Sequence, residues 1–145
     1  MRNIKTDVVI NASPDKVWSI LTDFDTYPEW NPFIKSFEGK PAEGERFKVT
    51  IQQPGSKPMT FKPKCLKFER NKEFRWLGHL FIKGIFDGEH IFELIPAENG
   101  KTKFIQRENF NGILVPLLWN QLETKTTKGF EMMNEKLKEL AENGI

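Results

Sequence analysis

Cysteine is nearly missing from this chain. Cys65 stands alone among 145 residues, so no internal disulfide can form, and a cytoplasmic setting is expected. Long hydrophobic runs are missing as well. The longest apolar stretch, Ile113 to Trp119, falls far short of the roughly 20 residues that span a bilayer. Met1-Arg2-Asn3-Ile4-Lys5 leads into an alternating pattern rather than a signal-peptide apolar region, so neither a leader nor a transmembrane segment is expected. An excess of one charge is also lacking: 22 Lys and Arg face 20 Asp and Glu, leaving +2 spread along the chain. That argues against a nucleic-acid surface. With two histidines and no HExxH or CxxC spacing, no metal site is expected. There is no phosphate loop, GxSxG elbow or dinucleotide fingerprint, so no cofactor and no catalytic residue is assigned.

What the chain has in abundance is large apolar rings: 13 Phe and 4 Trp against one Tyr. Such a load either fills a core or lines a cavity, and composition does not choose. The pattern along the chain is more definite. Ile4, Thr6, Val8 and Ile10 alternate as one face of a first strand. Ser13 is a helix N-cap followed by Pro14 and Asp15, with Val17, Ile20, Leu21 and Phe24 as the buried stripe. Prolines at 28 and 32 limit the next segment to a short helical turn and a loop, which Trp30 pins to the core. Strands are predicted at Phe33–Glu38, Glu45–Gln52, Met59–Glu69, Glu73–Ile82, Glu89–Ile95 and Lys101–Phe110, divided by short Gly- and Pro-rich turns. The alternation changes phase between Cys65 and Leu66, as a bulge would require.

The last helix runs from Leu117 to about Glu142, with Leu118, Leu122, Thr126, Phe130, Met133, Leu137 and Leu140 as its apolar line. Thr126 and Gly129 in its middle either leave space beneath the helix or permit close packing on a sheet. The fold class is therefore α+β: a curved seven-stranded antiparallel sheet around a long C-terminal helix, with two short helices after the first strand. Residues 1–145 read as a single domain.

Strict alternation puts Trp76, His90, Phe92, Gln106, Glu108 and Phe110 on the inner face and turns His79 outward. Polar groups placed among aromatics need partners, since each unsatisfied one costs roughly 1–3 kcal/mol. They form a closed network that fixes register, they contact a ligand, or His90 and Glu108 act as an acid–base pair. The apolar connection Gly112 to Trp119 is either a lid over the core or the rim of a mouth, with Phe81, Ile82, Ile85 and Phe86 opposite.

Several stretches together resemble the START-like or SRPBCC helix-grip proteins, and within them the polyketide cyclase/dehydrase-like branch. They are Val9-Ile10-Asn11-Ala12-Ser13-Pro14-Asp15-Lys16-Val17-Trp18, the Asp23 to Pro32 segment with Tyr27 and Trp30, Gly88-Glu89-His90-Ile91-Phe92-Glu93-Leu94, and Glu108-Asn109-Phe110-Asn111-Gly112. The resemblance implies a sheet gripping the last helix around an apolar cavity for lipids, polyketides, sterols or hormones. The expected function is binding of a small hydrophobic molecule, in transport or sequestration. An enzyme of cyclase, dehydratase or hydrolase type and a module resembling the chaperone-ATPase activators are the alternatives. Ligand contacts are expected from Trp30, Phe61, Trp76, His90, Phe92, Gln106, Glu108, Phe110, Leu118, Leu122, Thr126 and Phe130. The mouth is expected at Phe81, Phe86, Ile113, Leu114, Val115 and Pro116. The expected form is a monomer or weak homodimer.

Overall fold

The computed structural model describes residues 1–80 and 82–143. Alternation determines β1 (Arg2–Ile10): Ile4, Thr6 and Ile10 are buried while Lys5 and Asp7 face solvent. Ser13 caps α1 (Pro14–Leu21), its Oγ accepting from the Lys16 amide at 3.2 Å. This helix buries Val17, Trp18 and Leu21, so Trp18 takes the inward place expected of Ile20. Phe24 falls in a 3-10 turn beyond its end. In the single-turn α2 (Tyr27–Trp30) the anchor is Tyr27 rather than Trp30. Tyr27 is fully buried with its hydroxyl donating to the Leu21 carbonyl, whereas Trp30 is half-buried against the edge of the Tyr27 ring.

The remaining strands are β2 (Ile34–Glu38), β3 (Lys48–Ile51), β4 (Met59–Phe61), β5 (Lys64–Glu69), β6 (Glu73–Leu80), β7 (Phe86–Pro96) and β8 (Thr102–Asn111). Antiparallel pairing arranges them as a five-stranded sheet, β1-β8-β7-β6-β5, and a three-stranded sheet, β2-β3-β4. The expected single sheet of seven is thus corrected to two sheets. Pro63 has no amide proton to give to a ladder. The stretch Met59–Glu69 therefore breaks there into β4, which pairs with β3, and β5, which pairs with β6. Bonds from the Phe47 amide to the Pro63 carbonyl at 3.2 Å and from the Cys65 amide to the Glu45 carbonyl at 2.8 Å join the two sheets. The predicted bulge is present as a register shift between Cys65 and Lys67.

The long helix α3 (Val115–Glu142) starts two residues earlier than its apolar stripe suggests, and lies along β1 and β8. Among the described residues, no helix is long and apolar enough to cross a membrane. Most of the phenylalanine load is core: Phe37 stacks between Phe24 and Phe47 at centroid distances of 3.8 and 4.6 Å, and Phe74, Phe92 and Phe104 continue the layer.

The space beneath the middle of α3 is filled. The Phe33 ring lies under Gly129, where an added Cβ would stand 2.6 Å from Phe33 Cδ1, and the Gln53 amide donates to Thr126 Oγ1 at 2.7 Å. Close packing is the reason for the small residues there. Gly129→Ala should accordingly lower stability by about 1–3 kcal/mol through overpacking, despite the ~1 kcal/mol that alanine gains in a helix. Urea denaturation measures it. Adding Phe33→Leu should recover part of the loss, and a stabilised Gly129→Ala single variant would contradict the packing account.

Candidate functional site

Free space lies closer to the start of α3. The inner face of the five-stranded sheet presents Trp76, Gly78 and Leu80 on β6, Gly88 on β7, and Glu108 and Phe110 on β8. The β3–β4 hairpin faces it with Ile51, Met59 and Phe61, and Leu118 and Leu122 close it from α3. Between them lies a cavity of about 230 Å³, continued by a smaller recess of about 60 Å³. The two share Ile51, Phe61, Leu80, Phe86 and Glu108. Of the expected contact residues, Phe61, Glu108, Phe110, Leu118 and Leu122 line the main cavity and Trp76 lines the recess, while Phe86, expected at the mouth, lines both.

The other candidates sit elsewhere. Phe92 and Phe130 are fully buried core packed on the His90 ring at 4.6 and 5.0 Å. Thr126 holds Gln53, which is itself a lining residue, and Trp30 lies against Tyr27. Ile113 and Pro116 face solvent, Leu114 is half-buried and Val115 is buried. Phe81 lies outside the described residues. Lining residues not anticipated include Phe33, Ile51, Gln53, Ser56, Met59 and Leu80. The period-two pattern of β3 and β4 contained a signal for Ile51 and Met59, but their relevance depends on the hairpin folding over α3.

The apolar β8–α3 connection is clasped to the β6–β7 turn: the Ile113 amide donates to the Gly84 carbonyl at 3.1 Å and the Leu114 amide to the Ile85 carbonyl at 3.0 Å. Gly112 makes this possible. Its φ is +127°, and any Cβ there would collide with the Ile85 carbonyl. The clasp leaves Ile82, Ile113 and Leu117 69%, 73% and 80% exposed, on segments adjoining the lining residues Leu80, Phe110 and Leu118.

Behind Glu108 runs a buried polar chain. Thr6 Oγ1 donates to the Gln106 backbone carbonyl at 2.9 Å, so its oxygen accepts from Asn134 Nδ2, also at 2.9 Å. Asn134 therefore points Oδ1 at Gln106 Nε2, 2.8 Å away, and Gln106 points Oε1 at His90 Nε2, 2.9 Å away. The His90 proton must then sit on Nε2. Nδ1 is left as a bare lone pair 3.7 Å from Glu108 Oε1. Thr6 and Asn134 were not anticipated; the signal was a polar residue within each buried stripe.

Burial among Trp76, Phe92 and Phe130 drives the His90 pKa down to about 3, against a smaller opposing effect of the Gln106 hydrogen bond. Burial raises that of Glu108 to about 8. Its side chain keeps 17% exposure and lines the cavity, so water there moderates the shift without reversing it. Both shifts favour the uncharged forms over a salt bridge, and Glu108 Oε1 stands 3.7 Å from the unprotonated Nδ1.

A sheet gripping a long helix around an apolar cavity defines a helix-grip, START-like protein. The chain belongs to the family described as polyketide cyclase / dehydrase and lipid transport, whose model matches residues 1–142. Similar solved structures include a Mesorhizobium loti protein at 22% identity and TM-score 0.76, covering 99% of both chains. A START superfamily protein from Mycobacterium smegmatis has 18% identity and TM-score 0.76, covering 97% of both. The Zhui aromatase/cyclase of a Streptomyces species has 14% identity and TM-score 0.79, covering 98% of this chain and 94% of the other. At these identities the likeness concerns the fold. A comparison with curated protein sequences finds no significant match.

Glu108 and His90 make stability depend on pH in opposite senses. A folded-state Glu108 pKa above its unfolded value gives stability that is full below about pH 4.5 and is lost as pH rises through about 8. A depressed His90 pKa gives stability that is full above about pH 6.5 and is lost as pH falls toward 3. From pH 6.5 to 8 the loss at Glu108 exceeds the remaining gain at His90, so wild type should lose on the order of 1 kcal/mol. Glu108→Gln should not lose stability across that window, as urea titrations at each pH would show. Parallel curves for the two proteins would contradict the assignment.

Proposed function

We propose that this protein binds a small hydrophobic molecule in the cavity between the β3–β4 hairpin, the five-stranded sheet and the first turns of α3, for transport or sequestration. The observation that carries the reading is the cavity itself: about 230 Å³ walled chiefly by aromatic and aliphatic side chains, with Glu108 at its inner wall. It is smaller than most ligand pockets, which run roughly 300–1,000 Å³, and so suits a small molecule. Exposed Ile82, Ile113 and Leu117 beside it supply an apolar approach, and the family description supports a hydrophobic ligand class. Free, buried Cys65 is consistent with the cytoplasmic setting proposed for it, and a monomer or weak homodimer suffices for this role. An acid–base enzyme built on His90 and Glu108 is less well supported, because His90 is 1% exposed and stands behind Glu108 rather than at the cavity wall.

Native mass spectrometry of freshly purified protein, with thermal shifts against apolar compounds, tests the reading. A ligand present at a hundred times its Kd should stabilise the protein by about 2.7 kcal/mol. Leu122→Trp should fill the cavity, remain folded and lose the response. A panel that shifts neither protein, or shifts both alike, would contradict binding at this place.

A further inference from the structure

Glu108 is the carboxyl group of the cavity wall, set on the sheet side among apolar residues, while the other polar lining residues, Gln53, Ser56 and Lys57, belong to the β3–β4 hairpin. From β7 it faces His90, which presents a lone pair and no proton, because the polar chain from Thr6 places the ring hydrogen on Nε2. From β6, His79 borders the recess, but its Nδ1 is engaged by Asp87 at 2.7 Å on the outer side of the sheet. From the β3–β4 loop comes Lys57, an exposed side chain at the rim, and from α3 comes half-buried Lys125, whose Nζ donates to Ser56 Oγ at 3.1 Å on the hairpin side of the cavity. No buried cation therefore stands beside Glu108 among the described residues. Gly88 completes the arrangement: a Cβ at that position would collide with Glu108 Oε2, so the missing side chain is what lets the carboxyl lie where it does.

These positions set the chemistry a ligand can bring. A carboxylate pushed against Glu108 would lose its water and find no cation, which is costly in an apolar site. An uncharged oxygen acceptor meets the opposite situation: a protonated Glu108 has no acceptor at normal hydrogen-bond distance among the described residues, His90 Nδ1 being 3.7 Å away, and its carboxyl lines the cavity. We infer that Glu108 is the specificity-determining residue of the cavity, a hydrogen-bond donor that selects hydrophobic molecules carrying a ketone or other neutral oxygen acceptor and disfavours carboxylates. This rests on the hydrophobic-ligand reading above.

The test uses the full chain and four probes of equal medium chain length: a methyl ketone, a primary alcohol, a carboxylate and an alkane. Each displaces an environment-sensitive fluorophore from wild type, Glu108→Gln and Glu108→Leu, with circular dichroism confirming that every variant is folded. Near pH 6 the ketone and alcohol should bind wild type about five- to tenfold more tightly than the alkane, and the carboxylate most weakly. Near pH 9 an ionised Glu108 can accept but not donate, so the ketone should lose its advantage while the alcohol keeps it. Glu108→Gln retains a donor that does not titrate and should hold the ketone preference at both pH values. Glu108→Leu should lose the preference but still bind the alkane. A carboxylate that binds wild type as tightly as the ketone, or a ketone preference that survives in Glu108→Leu, would overturn the inference while leaving hydrophobic binding intact. If no probe binds wild type, the hydrophobic-ligand reading falls, and the selectivity with it.

Discussion

The Thr6 hydroxyl gives its proton to the backbone carbonyl of Gln106, an acceptor that cannot rotate, flip or change tautomer. Every later orientation in the interior depends on that one fixed direction. Asn134 must donate to Thr6, Gln106 must donate to Asn134, and His90 must donate to Gln106. The chain ties β1, α3, β8 and β7 together through side chains that are each no more than 8% exposed. Losing any member would strand its neighbours, at about 1–3 kcal/mol for each unsatisfied group. The same constraint that fixes register also delivers a bare imidazole nitrogen toward the cavity.

Aromatic packing supplies the other half of the electrostatics. His90 stacks on Trp76 at a centroid distance of 4.6 Å, with Phe92 and Phe130 on its other sides, so a charge there has no water to stabilise it. Glu108 lies one step nearer the cavity and one step less buried. Structure and proposed function thus meet at a single side chain, the last polar group before the apolar space. Gly88 beneath it and Phe33 under Gly129 show two opposite uses of a missing Cβ, one to seat a polar group and one to admit a ring.

The helix-grip fold was legible because its signals are local and repeated. Period-two strands, the Ser13-Pro14 helix start and the long stripe of α3 each declared themselves within a few residues. The split into two sheets was harder to see, since Pro63 interrupts a run whose side chains still alternate, and only the pairing partners show that it changes sheet. At the site, alternation put His90, Gln106 and Glu108 on one face, and all three do point inward. It could not order them by depth, because depth depends on what α3 and the β3–β4 hairpin bring from far along the chain. Asn134 and Thr6 were passed over for the same reason: each looks like an isolated polar lapse in an apolar stripe until the other is placed beside it. Thr126 and Gly129 were legible as small residues that either leave space or permit close packing, and the choice between these depended on Phe33 and Gln53, which come from far along the chain.

Whether the Gln106 carbonyl on β8 fixes the tautomer of His90 through the polar chain is read by long-range proton–nitrogen correlation NMR of the His90 ring at neutral pH. A neutral ring with its hydrogen on Nε2 and an unprotonated Nδ1 is expected. A ring protonated on Nδ1, or an imidazolium carrying both hydrogens, would contradict it.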